Sequence, residues 1–406
     1  MRLSKKQGQR GRSGGSRGSP SGVEALENRR HLDGALAPGV SVVMSGLDNP
    51  RGMEFGPQGA LYVAEAGRGG GADPNAPSFV LRGTPLYYGQ TGAITRLWKG
   101  AQERVASGLP SIAQLNGNEG AGPSDIAFNG AGNAYVTVGF GANPDLRANL
   151  GPAGAGFAQL IRLKPGGNWG QVADLGTYER TANPDGRQVD SNPFAVLASP
   201  GGEVVAVDSG ANSMLRVDNH GGVSTIGVLP VIPPPQVFSG DPVPTGFTVG
   251  PDGAYYVGIL SGAPFRAGVA NVYRIVPGEA PTVYLSGFKT IIDVDFDQAG
   301  NLYVLQHSSG PAGLAGPGSL VRVAPDGSRS TVLDNLTAPT STAVAPDGTV
   351  YVTNFGTTAG QGQVLRVALS APAQTGATGH SSTADARLAD ADEDGGILGG
   401  AASLLS

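Results

Sequence analysis

The sequence predicts an all-β fold: a six-bladed β-propeller of four-stranded antiparallel blades, whose ring is closed by an N-terminal strand. Three observations support this prediction. The pattern P-x-x-x-x-Φ-x-x-x-G-x-x-Y-V, in which Φ is apolar, recurs six times, each copy is followed by further strand-like segments, and one unpaired strand-like segment precedes the first copy. Because one blade cannot bury its own apolar surface, such units are expected to pack face to face in a ring.

The copies of the repeat align without a gap on one tyrosine position. That position holds Tyr62, Tyr135, Val205, Tyr256, Tyr303 and Tyr351. Twelve residues earlier stand Pro50, Pro123, Pro193, Pro244, Ile291 and Pro339, and three residues earlier stand Gly59, Gly132, Gly202, Gly253, Gly300 and Gly348. This spacing fits a strand, a tight turn and a second strand, so each copy is predicted to begin with a β-hairpin.

A third strand is predicted after each hairpin, with one arginine between apolar residues. These arginines are Arg96, Arg162, Arg216, Arg274, Arg322 and Arg366. An arginine at the same place in every repeat is expected to be a tether from blade to blade rather than a ligand contact. A fourth short strand follows in every unit except the last. Residues 41–48 are expected to supply it there and to close the ring.

The composition suits this fold and excludes several classes of function. The chain has 406 residues with 67 glycines, 31 prolines and no cysteine, which excludes disulfides, thiolate nucleophiles and cysteine-bound zinc. Basic residues gather in 1–30 and leave the rest acidic, a poor partner for nucleic acid or anionic lipid. No apolar run is long enough to span a bilayer. We expect no nucleic-acid partner and no membrane span, and we expect a monomer.

The composition also predicts three regions. Residues 39–370 are expected to form the propeller. Residues 1–38 and 371–406 are rich in Gly, Ser, Ala and charged residues. Such segments cannot bury enough apolar surface to offset the cost of ordering, so both are predicted to be disordered tails.

Loop lengths predict which face of the propeller binds a ligand. The turns between first and second strands are short, whereas the long connections at 67–91, 139–157, 175–192 and 229–243 all fall at the opposite end of the strands. Long loops on a rigid scaffold are where binding residues collect. This long-loop face is therefore the predicted binding surface for a small molecule, a glycan or a protein.

Polar side chains near the starts of the inner strands and at the ends of the second strands, which a propeller's axis would gather, are the candidate ligand-binding residues. They are Arg51, Glu65, Asp125, Asp208, Asp293, His307 and Asn354. Glu65, Asp208 and Asn354 are the candidate metal ligands, since Ca²⁺ and other hard divalent cations bind carboxylate and amide oxygens. The simpler interpretation, that they cap strands and accept backbone N–H bonds, is favoured because no ligand spacing as tight as that of an EF-hand is present.

No standard catalytic signature stands in the sequence: there is no G-x-S-x-G elbow, P-loop, dinucleotide fingerprint or H-E-x-x-H motif. His307 is the one histidine expected near the axis. It would serve as a general base only with a carboxylate or a substrate hydroxyl in reach, and a strand-end hydrogen bond is the simpler interpretation.

Several longer segments carry a resemblance to a known family. They read NPRGMEFGPQGALYVAEAGRGG, GPSDIAF, YERTANPDGRQVDSNPFAVL, VVAVDSGANSMLRVD, PTGFTVGPDGAYYVG and NVYRIVPG. Over 39–370 the chain resembles the ScyD/ScyE family of NHL-like propellers, named after proteins of scytonemin biosynthesis. The resemblance implies an exported or surface-associated propeller and supplies no settled catalytic residues. The chain departs from the family pattern at Ile259 and Gln306, which puts a family ligand site at that end in doubt.

A second resemblance lies in the N-terminal region. The segment GVEALENRRHLDG at 22–34 is similar to the LEPR-XLL type of segment found on large secreted bacterial proteins, with His31 where leucine is usual. The chain lacks the apolar core of a standard signal peptide. The similarity implies an extracellular or cell-surface location.

Three functions follow as hypotheses. The first is a non-enzymatic binding module that uses the long-loop face. The second is a divalent-metal-dependent lactone hydrolase similar to the gluconolactonase and regucalcin propellers, in which an axial ion would polarise the carbonyl group and activate water. The third is an accessory role in the biosynthesis or export of an aromatic pigment such as scytonemin.

Overall fold

The structure, a computed structural model, describes residues 36–310, 313–314 and 316–369. The predicted tails, 1–38 and 371–406, therefore lie almost entirely outside the described residues, as does the LEPR-XLL-like segment at 22–34. The described chain forms six antiparallel sheets arranged as the blades of a propeller, as the repeats predicted.

Each blade runs from the axis outwards through consecutive strands. Blade one contains β2 (Pro50–Phe55), β3 (Leu61–Glu65), β5 (Thr84–Trp98) and β6 (Ala101–Ala113). Blade two contains β7 (Pro123–Phe128), β8 (Ala134–Val138), β9 (Gln159–Leu163) and β10 (Trp169–Asp174). Blade three contains β11 (Pro193–Ala198), β12 (Val204–Asp208), β13 (Ser213–Val217) and β14 (Val223–Val228).

The second half of the ring repeats this order. Blade four contains β15 (Pro244–Val249), β16 (Tyr255–Ile259), β17 (Ala270–Ile275) and β18 (Thr282–Phe288). Blade five contains β19 (Ile291–Phe296), β20 (Leu302–Gln306), β21 (Gly318–Val323) and β22 (Arg329–Leu336). Blade six contains β23 (Thr342–Val344), β24 (Val350–Asn354), β25 (Gly362–Val367) and β1 (Val40–Leu47).

The ring closes through the N-terminal strand. β1 pairs antiparallel with β25, with Val40 opposite Val367 and Met44 opposite Val364. Met44 and Leu47 are buried at 1% and 0% exposure, so the strand is anchored by apolar packing as well as by the ladder. The prediction that residues 41–48 complete the last blade is confirmed.

The repeated arginine lies directly opposite the repeated tyrosine position. The pairs are Tyr62 with Arg96, Tyr135 with Arg162, Val205 with Arg216, Tyr256 with Arg274, Tyr303 with Arg322 and Tyr351 with Arg366. Where the structure shows an ionic partner for these arginines, it belongs to the same blade: Arg96 to Glu103 at 2.8 Å, Arg216 to Glu203 at 3.2 Å and Arg274 to Asp252 at 2.7 Å. The arginine therefore ties strands within a blade, and the predicted blade-to-blade tether is wrong for these pairs.

Apolar side chains fill the space between blades. One buried cluster runs from Val207 of blade three through Phe247 and Tyr256 of blade four to Val294 of blade five. The core is thus a ring of interfaces, because each blade buries its faces only against its neighbours.

The long connections carry their own local structure. In blade one the segment 67–91 folds back, and β4 (Ser78–Leu81) forms a hairpin with the start of β5. Blade two adds a 3₁₀ segment (Pro144–Gly156), and the connection to blade three begins with helix α1 (Leu175–Ala182), capped by Asp174. Two short 3₁₀ turns, Pro57–Gly59 and Pro165–Gly167, lie at strand connections.

These insertions occupy the same end of the strands, as the loop lengths predicted. Helix α1 was not predicted, because the sequence was interpreted there only as a long connection. Within the part of the chain that the structure describes, no helix is long and apolar enough to cross a membrane.

Candidate functional site

The inner strands of all six blades line a narrow axial channel. Its cavity measures about 80 Å³, which is room for several water molecules. Four carboxylates belong to this lining: Glu54, Asp125, Asp293 and Asp295. Each lies deep in the protein yet keeps some surface exposed to the channel.

Asp125 and Asp293 occupy matching positions, three blades apart. Asp125 of blade two accepts a hydrogen bond from the Val196 amide of blade three at 2.9 Å. Asp293 of blade five accepts one from the Thr342 amide of blade six at 2.9 Å, and another from the Ser341 hydroxyl at 2.8 Å. These carboxylates therefore bridge neighbouring blades by satisfying inner-strand amides that face the channel.

Burial and mutual repulsion raise the pKa of the channel carboxylates. Desolvation is the largest cause in every case, and it raises the pKa of Glu54 to about 8, of Asp293 to about 7 and of Asp295 to about 6. The pKa of Asp125 also stands well above its usual range. Asp293 and Asp295 add repulsion at Glu54. Some of the channel carboxyl groups are therefore protonated near neutral pH.

Arg51 lies at the mouth of the channel, on the long-loop face. It borders a separate cavity of about 100 Å³, which is also lined by Ser124, Asn192 and Phe194. Its Nη2 donates to the Gly120 carbonyl at 2.5 Å, the one hydrogen bond it makes to the described residues. Burial lowers the pKa of Arg51, which the charge of Glu119 partly offsets. The guanidinium is a poorly compensated cation with donors to spare.

His307 lies near Arg51. Its Nδ1 is 2.9 Å from the Pro339 carbonyl oxygen, which can only accept, so Nδ1 carries the proton and Nε2 is the unprotonated nitrogen of the neutral ring. Burial is the main cause that lowers the pKa of His307, and the positive charge of Arg51 lowers it further. The mouth thus combines a cationic donor with a neutral imidazole.

The three candidate metal ligands each serve a strand end in a different blade. Glu65 accepts from the Asp48 amide at 2.7 Å and pairs with Arg104 at 2.7 Å. Asn354 accepts from the Thr337 amide at 2.7 Å. Both bonds hold the segment before an inner strand against the end of the second strand.

Asp208 plays the same part in blade three with more partners. It accepts hydrogen bonds from the Ser191 hydroxyl, the Asn192 amide, the Gly210 amide and the Ala211 amide at 2.7 to 3.1 Å. Glu65, Asp208 and Asn354 therefore do not share a partner. The interpretation as strand-end acceptors describes all three.

The residues present do not fit the expected axial metal site. Among the described residues no group of three or more His, Asp or Glu side chains is arranged to hold a metal ion. The Glu65 oxygens are engaged by Arg104 and Thr95, and the Asp208 oxygens are engaged by loop donors. We therefore derive no chemistry from an ion held by Glu65, Asp208 and Asn354.

The structure thus places the seven candidate residues in three settings. Arg51 and His307 lie near the channel mouth, Asp125 and Asp293 line the channel, and Glu65, Asp208 and Asn354 cap strands. Sequence reasoning missed Glu54, which lines the channel, and Asn192, which borders the Arg51 cavity. The repeat contained the signal for Glu54, because it stands at the same repeat position as Asp295.

Exposed apolar side chains collect on the long-loop face. Val80, Leu115, Val231, Phe238 and Leu314 all lie in its connections and are 40–66% exposed. The Arg51 cavity therefore opens on a face with apolar character.

No family model matches the chain, and no curated protein sequence matches it significantly. Solved structures that resemble it include regucalcin, a calcium-binding protein from Agrobacterium tumefaciens, at 12% identity over 81% of this chain and 92% of that chain, TM-score 0.47. They also include virginiamycin B lyase from Staphylococcus aureus, at 12% identity over 81% and 99%, TM-score 0.45. A luciferin-regenerating enzyme matches at 11% identity over 82% and 95%, TM-score 0.47. The ScyD/ScyE resemblance stays a prediction. The fold of this chain is a six-bladed β-propeller.

Proposed function

We propose that the protein is a binding module that holds the anionic head group of a small organic molecule against Arg51 on the long-loop face. The observation that carries the proposal is the partly buried guanidinium of Arg51, which makes one hydrogen bond to the described residues and borders a cavity of about 100 Å³. A guanidinium offers five N–H donors in a fork that matches a carboxylate. An organic carboxylate is therefore the expected head group.

The local charges favour an anion. Glu119, the residue whose charge raises the pKa of Arg51, is exposed and so compensates it weakly. Among the channel carboxylates, Glu54 has its pKa raised to about 8 and is largely protonated near neutral pH, and Asp293 has its pKa raised to about 7 and is about half protonated, so these two groups repel an anion less than two full charges would. A desolvated cation without a buried partner gains most from a ligand that brings the missing charge.

The cavity sets the size of the bound group. Pockets that enclose a whole drug-sized ligand measure about 300–1,000 Å³, so a cavity of about 100 Å³ takes only a head group. Phe194 supplies an apolar wall beside Arg51. The remainder of the ligand would lie over the loops that expose Val80 and Phe238, so an acid with an aromatic or aliphatic body fits best.

The test compares an acid with its neutral amide. Indole-3-acetate and indole-3-acetamide differ in charge and little in shape, and each is titrated into the full chain by calorimetry. We expect the acid to bind about tenfold more tightly than the amide. The variant Arg51→Gln should remove that difference, whereas Arg266→Gln, an exposed arginine of the same face, should keep it.

A binding pattern without charge preference would overturn the proposal. The proposal is wrong if acid and amide bind the natural chain equally well, or if Arg51→Gln keeps the preference for the acid. Either result would show that Arg51 does not distinguish a charged ligand from a neutral one. The melting temperature of each variant is measured without ligand, so that a folding defect is recognised. Binding of a glycan or a protein with no response to small acids would assign the face to a different partner.

A second candidate function is hydrolysis of a lactone without the axial ion first expected. The neutral His307 imidazole beside Arg51 favours it. In such a reaction Nε2 would take a proton from water, the resulting hydroxide would add to the carbonyl carbon, the ring C–O bond would break and the proton would pass to the leaving oxygen. The product carboxylate would match the anion preference of Arg51.

The hydrolase candidate predicts a dependence on one histidine. Turnover of glucono-δ-lactone or a phenyl-substituted butyrolactone should fall about 100-fold or more in His307→Gln. It should not change in His220→Gln, which alters an exposed turn. Equal rates in both variants, or no turnover by the natural chain, would leave binding as the function.

We also infer that the protein acts outside the cytoplasm or at the cell surface, and that an aromatic pigment precursor is one ligand class to test at Arg51. The LEPR-XLL-like segment at 22–34 and the ScyD/ScyE resemblance support these two points. Cell fractionation with an antibody to the propeller tests the first. Recovery of all the protein in the cytoplasm would reject it.

A further inference from the structure

Helix α1 buries a carboxylate whose charge the fold leaves uncompensated. Glu179 is 1% exposed. Both of its carboxylate oxygens are shielded from solvent and accept no hydrogen bond from the residues that the structure describes. A buried ionised carboxylate is costly unless it is paired, protonated or bound to a cation. The surroundings of Glu179 distinguish these states.

Two more free oxygens belong to the segment that follows the helix. Asn183 is the C-cap residue of the helix, four positions after Glu179, and has a left-handed backbone conformation. Its amide donates to the Glu179 carbonyl at 2.8 Å and its Nδ2 donates to the Arg187 carbonyl at 2.9 Å. Its Oδ1 stays buried with no donor in the described ranges. The side chain is thus fixed while its oxygen is free.

The second free oxygen is Oδ1 of Asp190, which is likewise buried and lacks a donor among the described residues. It lies against Gly210, 2.8 Å from where a Cβ on that glycine would be. The backbone amide of Asp190 lies close enough to the Glu179 carboxyl to oppose the rise of its pKa. Glu179 and Asp190 are therefore neighbours.

The charges around this group are mostly negative. Burial first, and then Asp208, Asp185 and Asp190, raise the pKa of Glu179 to about 8. Asp241 adds repulsion at Asp190, and Arg82 pairs with Asp190 only through a side chain that is 79% exposed. Arg187, in the segment after the helix, is bound to Asp241 at 3.0 Å, and Arg180 of the helix pairs with Asp145.

We propose that Glu179, Asn183 and Asp190 bind a divalent cation, with Ca²⁺ the best match. Together they offer four buried oxygens, two from one carboxylate, one from a second carboxylate and one from an amide. Ca²⁺ takes six to eight oxygen ligands of this mixed kind in flexible geometry, and water completes the set. Asp185 and Asp208 strengthen the negative potential but have their own oxygens engaged. The site uses none of the residues that line the Arg51 cavity.

The test is a calcium titration of the full chain after treatment with a chelator, followed by thermal melting and by calorimetry. A ligand that binds only the folded state raises the melting temperature. We expect half-saturation below about 1 mM, as in extracellular calcium modules.

Glu179→Gln is the decisive variant because it replaces the acid by a neutral group of the same size. It should fold, melt without calcium at the same temperature as the natural chain or higher, and weaken calcium binding by about tenfold or more. Glu203→Gln, at a half-exposed strand-end pair with Arg216, is the matched control and should keep the calcium response.

Two results would overturn the site. A natural chain that shows no calcium response would mean that Glu179 is held as a neutral acid. A response that persists in Glu179→Gln would place the ion elsewhere. Binding of indole-3-acetate at Arg51 is measured in the same variant and is expected to persist, so failure of this site and failure of the proposed function are separable.

Discussion

Gly52 and Asp125 share one space at the boundary of blades one and two: a Cβ on Gly52 would overlap the carboxylate of Asp125. The same relationship recurs three blades later, where a Cβ on Gly246 would overlap Asp293. In both places the aspartate reaches an inner-strand amide of the following blade. Glycine is therefore required at both positions, because a Cβ there would occupy the space that the aspartate carboxylate needs to reach the amide of the following blade.

Gly52→Ala should destabilise the protein by about 1–3 kcal/mol, since the added methyl displaces Asp125 from the Val196 amide. Chemical denaturation measures the loss. Gly201→Ala is the control, because its Cβ would meet only the Ser199 hydroxyl at 3.9 Å. Equal stability of the two variants would contradict the packing of Asp125 against Gly52.

The repeat predicted the architecture because each blade depends on local signals, such as Pro50 at the inner strand and Gly59 in the turn. The ring closure followed from an unpaired strand at one end and a missing strand at the other. The repeat pattern did not predict which residues the long side chains contact. Glu65 was a candidate axial ligand, but Arg104, thirty-nine residues away, engages it, and no local pattern reveals a contact at that separation.

The channel predicts a loss of stability at alkaline pH. Glu54 has a folded-state pKa of about 8 against an ordinary value of 4.5, so its protonated form is favoured by folding. The stability that this proton contributes is present below about pH 4.5 and is lost as pH rises through about 8. The melting temperature should therefore fall between about pH 5.5 and pH 8.5.

Glu54→Gln removes this pH dependence in part, because glutamine stays neutral. The variant should gain about 1 kcal/mol or more over the natural chain at the higher pH and show a smaller fall. Glu279→Gln, at an exposed turn, should leave the fall unchanged. If Glu54→Gln and the natural chain lost stability in parallel, the Glu54 proton would not be the cause.

The strand-end acceptors predict an order of mutational effects. Asp208→Ala leaves four donors without their acceptor and should cost about 2–4 kcal/mol. Asn354→Ala leaves one amide, that of Thr337, and should cost about 1 kcal/mol. Denaturant midpoints of the two variants give the order directly. The reverse order would mean that Asp208 contributes through something other than these bonds.

The closing strand predicts that one side chain near the N-terminus stabilises the whole ring. Met44 is 1% exposed and lies opposite Val364, whereas Val42 on the same strand is 41% exposed. Met44→Ala should cost about 3 kcal/mol by leaving a cavity at the seam, and Val42→Ala should cost about 0.5 kcal/mol or less. Because blade six obtains its outer strand only from β1, loosening that strand exposes the edge of β25. Met44→Ala should therefore also aggregate at a lower temperature on heating. If Met44→Ala melted and aggregated like Val42→Ala, the stability of the ring would not depend on this seam.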